Sequence, residues 1–239
     1  MYYLRFIALA CSMSFLFQTS RGQTQVNFGV CYSMKDALAH KEVVHTLILR
    51  NNRDLSSIPA EINQLKNLKT LDVSGTKLTS LPDELLECSK LEKITANASK
   101  IKELPKLIGN LKELKEINFG FNDISEIPAS IRNCIKLKEV NFSDNNITSI
   151  PKGFGKLTKI TFCSFANNQL TEFSSEFLGL VSAYNLWLHG NKIKHINTGI
   201  VKMLNLSHLL IDKTEVDNIK EIMRLLPELR IIDENNRQK

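Results

Sequence analysis

LKEINFGFNDISEIPASIRNCIK, at residues 114–136, is the stretch whose pattern recurs on both sides along the chain. LEKITANASKIKELPKLIGNLKE begins 23 residues earlier, at Leu91, and LKEVNFSDNNITSIPKGFGKLTK begins 23 residues later, at Leu137. A fixed period of about 20–50 residues is the signature of proteins built from stacked structural repeats. The sequence therefore predicts a solenoid rather than a domain folded around one central core.

Eight such repeats align when each is numbered from its first apolar residue, and they cover residues 44–228. They start at Val44, Leu68, Leu91, Leu114, Leu137, Ile160, Ala183 and Leu206. The first has 24 residues and the other seven have 23. Residues 229–239 are predicted to hold a partial C-terminal strand, which starts a ninth repeat, and a polar tail.

Each position of the repeat has a physical reason. In the quoted stretch, Ile117 and Phe119 at positions 4 and 6 alternate with polar neighbours, which is typical of a short strand with one buried face. Asn122 stands at position 9, where an amide both donates and accepts hydrogen bonds and can satisfy a buried turn. Stacked repeats place these polar side chains, with Thr or Ser in some repeats, in one continuous ladder.

Position 15 is proline in the first five repeats, and its fixed φ suits the start of a short helical segment. It is Ser174, Asn197 and Lys220 in the last three repeats. This change predicts that the outer turns of those three repeats differ from the others. In the eighth repeat, residues 218–226 are predicted to form a longer helix.

The pattern LxxLxLxxNxLxxLPxxIxxL resembles the 23-residue class of the leucine-rich repeat family, over about residues 44–233. The resemblance implies an α/β fold, a curved solenoid with a parallel sheet on its concave face and short helices or turns on its convex face. It also implies a binding module that engages partners, usually proteins, on the concave sheet.

The N-terminus predicts a secreted protein. Residues 1–22 have one early positive charge, an apolar run from Phe6 to Phe17 and small residues before a possible cut, as in a signal peptide. An uncleaved membrane anchor stays open as an alternative, and no other segment is apolar enough to span a membrane. Residues 23–43 are predicted to form an N-terminal cap, with a short helix over 34–43 that Ser33 begins. The expected location is the periplasm, the cell surface or the extracellular space.

The chain has 31 basic and 25 acidic residues, and they are interspersed rather than clustered. This pattern does not indicate a nucleic-acid or anionic-lipid partner. Cys88 and Cys134 hold one position two repeats apart, too far for a disulfide, and Cys163 is expected on a strand. These three are predicted to be small buried hydrophobic residues; Cys31 lies outside the repeat register and has no predicted role. Four Asn-X-Ser/Thr triplets occur, which we attribute to the Asn-rich repeats rather than to glycosylation.

The outward positions of the predicted strands change in character along the chain. Repeats two to five present small polar residues and Lys/Glu pairs, whereas repeats six to eight present aromatic and apolar side chains. The predicted partner-binding residues are Phe162, Tyr184, Trp187, His189, His208 and Leu210. Clusters of exposed aromatic residues mark interaction sites, and Trp and Tyr are enriched among binding hot spots. Coverage of this cluster by the C-terminal cap or tail is the competing interpretation.

Nothing in the sequence indicates catalysis. The motifs HExxH, CxxC and a glycine-rich phosphate loop are absent, and the predicted His189 and His208 positions are too far apart along the strands to share a metal. We therefore predict no enzyme activity, no cofactor and no metal site. The expected partner is a protein or peptide. A glycan or cell-wall ligand, and a structural or self-assembling role, are the alternatives.

Overall fold

A computed structural model of the chain describes residues 29–213 and 215–233. The predicted signal peptide at residues 1–22 and the end of the polar tail at 234–239 lie outside the described residues. Within them, ten short strands form one parallel sheet in which the strands follow one another in chain order. The sheet is therefore the simplest stack of a repeating chain, in which each strand pairs with the strands of adjacent repeats.

The strands are two or three residues long, because positions 3–5 of each repeat are the extended part of the pattern. They are β1 Val30–Cys31, β2 Thr46–Ile48, β3 Thr70–Asp72, β4 Lys93–Thr95, β5 Glu116–Asn118, β6 Glu139–Asn141, β7 Phe162–Ser164, β8 Asn185–Trp187, β9 His208–Leu210 and β10 Arg230–Ile232. From β3 to β9, residues 23 positions apart face each other, as in Leu71 with Ile94 and Ile117 with Val140. This pairing confirms the predicted 23-residue register between successive repeats.

Short helical segments return the chain between strands on the side opposite the sheet. Seven are 3₁₀ helices: η1 Ala60–Gln64, η2 Asp83–Glu87, η3 Ile108–Asn110, η4 Ala129–Asn133, η5 Phe154–Lys156, η6 Ser175–Gly179 and η7 Thr198–Lys202. Two are α-helices, α1 Met34–Ala39 and α2 Ile219–Leu225. The 3₁₀ form suits a repeat this short, since it closes a turn in three residues rather than 3.6.

The loss of proline at position 15 changes the outer turns less than its pattern predicts. Ser174 and Asn197 precede five-residue 3₁₀ helices like those that follow Pro59 and Pro82, so the prediction is wrong for repeats six and seven. The Ser174 and Asn197 side chains accept hydrogen bonds from backbone N–H groups two residues on, which fixes the turn without proline. Only repeat eight differs, with α2 in place of a 3₁₀ helix.

One continuous core fills the space between the sheet and the helical segments. Phe119, Phe142 and Phe165 occupy position 6 of three successive repeats and are fully buried. Their ring centroids lie 5.8 Å and 5.6 Å apart in a stacked arrangement. This row of phenylalanines continues the hydrophobic core from one repeat to the next.

The asparagine ladder at position 9 is present. Asn145 Nδ2 donates to the carbonyl of Phe142 in its own repeat and to that of Phe119 in the preceding repeat, at 3.1 Å and 2.9 Å. Its Oδ1 accepts from the N–H of Ile124, also in the preceding repeat, at 2.9 Å. Each buried amide therefore completes the turn of the repeat before it.

The N-terminal cap covers the first repeat. Ser33 caps helix α1, since its Oγ accepts from the N–H of Asp36, and the helix ends at Ala39, four residues before the predicted end. Strand β1, which has no counterpart in the repeat pattern, pairs with β2. It places Cys31 in the core, so this cysteine is a buried residue of the cap.

Cys88, Cys134 and Cys163 are free thiols and fully buried, as predicted. Burial raises the pKa of Cys88 and of Cys134 to about 11, and raises that of Cys163 further. The Cys88 and Cys134 thiols donate to the carbonyls of Ile62 and Ile108 at 3.3 Å and 3.4 Å. These contacts make them structural residues rather than nucleophiles.

Candidate functional site

The last repeats place the predicted binding residues on neighbouring strands of the sheet. At position 3, Phe162 of β7 pairs with Asn185 of β8, which pairs with His208 of β9. At position 5, Trp187 of β8 pairs with Leu210 of β9. Because positions 3 and 5 leave a strand on the same side, these side chains share the face of the sheet opposite the core.

Four of these residues form two ring pairs. The Phe162 and Trp187 rings meet edge to face, with centroids 4.8 Å apart and planes at 83°. The Tyr184 and His208 rings lie 5.4 Å apart at 53°. We call these four residues the aromatic patch. Contact between the two rings of each pair restricts their motion, which lowers the entropy lost when a partner binds against them.

The aromatic patch is open to solvent to different degrees. Tyr184 is 51% exposed, and Phe162, Trp187 and His208 are partly exposed. Among the described residues, the buried Nδ1 atom of His208 has no hydrogen-bond partner. Rings that are held by neighbours yet partly open are the usual anchors of a binding surface.

Two predicted binding residues are not on the exposed surface. Leu210 is 5% exposed and His189 is 7% exposed, so the expectation that they face solvent is wrong. Leu210 lies between Trp187 and Ile232 in the position-5 row, and side chains on both sides cover it. His189 precedes Gly190, where the chain turns through a φ of +69°, and the Gly190 N–H donates to Asp212 Oδ2 at 2.6 Å. These two residues therefore belong to the buried surroundings of the patch rather than to its exposed surface.

The structure shows two further exposed apolar residues in the last repeats. The prediction missed them because it considered only the outward positions of the strands. Val181 and Leu204 occupy position 22, at the end of the outer segment just before the strand, in repeats six and seven. Leu204 is 87% exposed, and the side chain of Asn205 next to it donates to the Val181 carbonyl at 2.7 Å. Position 22 is Lys66, Ser89, Lys112, Ile135, Thr158 and Pro227 in the other repeats, and the exposed Ile135 shows that an apolar residue at this position is not confined to repeats six and seven.

Charged pairs occupy the same face in the earlier repeats. Lys115 Nζ lies 2.6 Å from Glu92, Lys69 lies 4.0 Å from the other oxygen of Glu92, and Lys93 pairs with Glu116. The hydrogen bond from Lys115 holds the pKa of Glu92 below its usual range. Because these pairs are exposed and screened by water, they contribute little to stability. They give this part of the face a solvated character unlike that of the aromatic patch.

No group of three or more His, Cys, Asp or Glu side chains within residues 29–213 and 215–233 is arranged to hold a metal ion. In the same part of the chain, no helix is long and apolar enough to cross a membrane.

Comparison with known sequences gives a limited match. The family model described as Leucine Rich Repeat matches residues 67–88 and 136–157, which cover most of the second and fifth repeats. None of the curated proteins matches the chain.

Solved structures are more informative. A leucine-rich repeat protein of Leptospira interrogans is 29% identical, with a TM-score of 0.69 over 83% of this chain and 56% of its own. An internalin of Listeria monocytogenes is 21% identical, with a TM-score of 0.64 over 81% of this chain and 62% of its own. Internalin C2 from the same organism is 20% identical, with a TM-score of 0.70 over 82% of this chain and 83% of its own.

This chain thus spans little more than half the length of the first two structures, and the internalin matches bear on the fold alone. Together with the ten-stranded parallel sheet and the repeated 3₁₀ segments, they identify the fold as a leucine-rich repeat solenoid.

Proposed function

We propose that this protein, with repeats of the 23-residue class, is a secreted, non-catalytic binding module. It takes a protein or peptide partner on the sheet face of repeats six to eight. The observation that carries the proposal is the aromatic patch, two ring pairs that are held in place and partly open to solvent. Leucine-rich repeat proteins generally bind other proteins, which supports this reading of the patch.

The partner's contact is expected to centre on Trp187 and Tyr184. Trp and Tyr carry a large share of binding energy at protein interfaces because they bury much apolar area while losing few rotamers. The exposed Val181 and Leu204 add apolar surface in repeats six and seven. The buried Leu210 fixes the floor on which a partner side chain would rest.

The proposal is tested by panning a random peptide library against the full chain and then measuring the selected peptides by calorimetry. Trp187→Ala and Tyr184→Ala are each expected to weaken binding at least tenfold, about 1.4 kcal/mol, as hot-spot truncations do. Tyr32→Ala is the matched control, since Tyr32 is 52% exposed, like Tyr184, but lies in the N-terminal cap. Equal binding by all three variants would reject the aromatic patch as the site.

Secretion belongs to the same proposal and rests on the features of residues 1–22. Expression with and without this segment, followed by fractionation of cells and medium, tests it. We expect export only when the segment is present, and mass spectrometry of the exported chain should show an N-terminus near Gln23.

A glycan ligand is the second candidate, because exposed aromatic rings such as Tyr184 also stack on sugars. A glycan array probed with the wild-type chain and with Tyr184→Ala separates the two. If the wild-type chain binds glycans on the array and selects no peptide from the library, the result favours a carbohydrate ligand.

A further inference from the structure

A shallow groove continues the aromatic patch toward the middle of the sheet. It has a volume of about 210 Å³ and is lined by positions 3–5 of strands β4 to β7. Phe162 closes one end of it, and the same ring packs against Trp187 of the patch. A partner seated on the patch therefore has a path along the groove, across the strands.

The floor of the groove is polar and fixed. Asn118 Oδ1 accepts from the Gly120 N–H at 3.1 Å and from Asn141 Nδ2 at 3.2 Å. Asn141 Oδ1 in turn accepts from the N–H and the hydroxyl of Ser143, at 2.9 Å and 2.6 Å. These hydrogen bonds fix both side chains, so the floor of the groove has a defined shape. The Asn141 side-chain amide already has hydrogen-bond partners within the protein.

The charge of the groove is unbalanced at the end nearest Phe162. In the position-3 row, Lys93 pairs in register with Glu116, Glu116 with Glu139, and Glu139 with Phe162. Lys93 forms an exposed ion pair with Glu116. Glu139 is exposed and makes no ion pair with any described residue. Two carboxylates directly opposite each other on adjacent strands repel, so this arrangement is unfavourable in the free protein.

From this geometry we infer that the groove receives a basic side chain of the bound peptide, beside the apolar residue that contacts the aromatic patch. A cation at this point would neutralise Glu139 and relieve its repulsion with Glu116. The adjacent Phe162 ring adds a cation–π contact. Arginine fits better than lysine, because its planar guanidinium can bond a carboxylate with two N–H groups and stack on a ring.

The spacing within the peptide follows from the sheet. Glu139 and Trp187 lie two strands apart, roughly 10 Å. An extended peptide advances about 3.3 Å per residue, so the basic and apolar residues are separated by about three positions. The inference thus names a motif, an arginine or lysine about three positions from a large apolar residue. It rests on the proposed peptide binding at the patch.

The test is the same peptide library, panned in parallel on the wild-type chain, Glu139→Gln, Glu139→Lys and Trp187→Ala. We expect the wild-type pool to be enriched in Arg or Lys about three positions from an apolar residue. Glu139→Gln should lose the basic enrichment but keep the apolar one, and Glu139→Lys should select acidic residues instead. For a selected peptide, replacing its basic residue with Gln should weaken binding to the wild type about tenfold and have little effect on Glu139→Gln.

Folding of the variants is checked by thermal melting, where Glu139→Gln should equal or slightly exceed the wild type because it removes the repulsion with Glu116. If the selected peptides depend on Trp187 but show no enrichment in basic residues, the proposal for the groove is rejected and the proposal for the aromatic patch is kept. Basic enrichment that persists on Glu139→Gln would also overturn it. If the wild type selects no peptide at all, the proposed function fails, and the groove fails with it.

Discussion

Position 8 of the repeat, just after each strand, turns through the left-handed region of backbone space. The φ angles run from +52° to +69° at this position, at Asn51, Gly75, Ala98, Phe121, Asp144, Asn167 and Gly190. Gly, Asn and Asp tolerate this region, whereas a bulky side chain is strained there. Phe121, with a φ of +57° and 61% of its surface exposed, is the outlier, since little packing offsets the strain.

We expect Phe121→Asn to stabilise the protein by about 1 kcal/mol, the order of the penalty for a left-handed L-residue. Urea denaturation should show a higher midpoint with an unchanged slope. Phe121→Ala separates the two causes, because alanine removes the exposed ring but keeps the strained backbone. An equal gain in both variants would mean that the ring, rather than the backbone, is responsible.

At this scale the sequence predicts buried positions better than exposed ones. Asn122 and Asn145 follow from the repeat because the ladder is a property of every turn. The burial of Leu210 and His189 depends on the side chains packed around them in neighbouring strands. The repeat register assigns those two residues to the correct face of the sheet. It contains no information on which neighbouring side chains cover them.

Among the elements, the 3₁₀ segments show how two different residues produce one turn. Pro59 enters η1 with a φ of −68°, and Ser174 enters η6 with a φ of −59°. Proline fixes this angle covalently, whereas Ser174 fixes the turn by accepting from the Glu176 N–H at 3.3 Å. The shape of the turn is set by the repeat length and the buried Phe177, and either residue satisfies it.

Ser174→Ala and Ser174→Pro should therefore have opposite effects. Loss of the cap in Ser174→Ala is expected to destabilise the protein by about 0.5–1 kcal/mol. Ser174→Pro should match or exceed the wild type, because proline fits the observed φ and restricts the unfolded chain. Thermal melting of the two variants beside the wild type measures this, and a proline variant less stable than the alanine one would contradict it.

Elements outside the repeat register were the hardest to predict. Strand β1 has two residues and pairs with β2, and its sequence signal is the buried Cys31 between Val30 and the exposed Tyr32. Helix α1 ends early because the chain must turn at His40 to bring Val44 into the core. Each of these features occurs once in the chain. The repeat pattern, which is read from several copies of the same segment, therefore could not predict them.

Across residues 29–213 and 215–233, the fold buries all four of the thiols that the structure describes. Cys31, Cys88, Cys134 and Cys163 are buried, and burial raises the pKa of each, to about 11 for Cys88 and Cys134. Alkylation requires the thiolate, which an exposed cysteine forms near its ordinary pKa of about 8.5. The fold therefore suppresses alkylation in two ways: it keeps the reagent away from the thiols, and it keeps the thiols protonated.

We expect iodoacetamide at pH 8.5 to label none of these four thiols in the native protein and all four in urea, as read by peptide mapping. Because the folded pKa values of Cys88 and Cys134 are raised, their stabilising effect is complete below about pH 8.5 and is lost as the pH rises toward 11. Rapid labelling of one thiol under native conditions would show local opening of its repeat.

The position-9 ladder has a consequence for synthesis on the ribosome. The N–H of Ile124 is paired only by Asn145 of the following repeat, and that of Ile147 only by Asn168 of the repeat after it. A newly made repeat thus holds an unsatisfied turn until the next one has emerged and docked. Water can serve this N–H group in the meantime, so we expect each turn to become fixed only when the next repeat docks, one repeat behind the growing end of the chain.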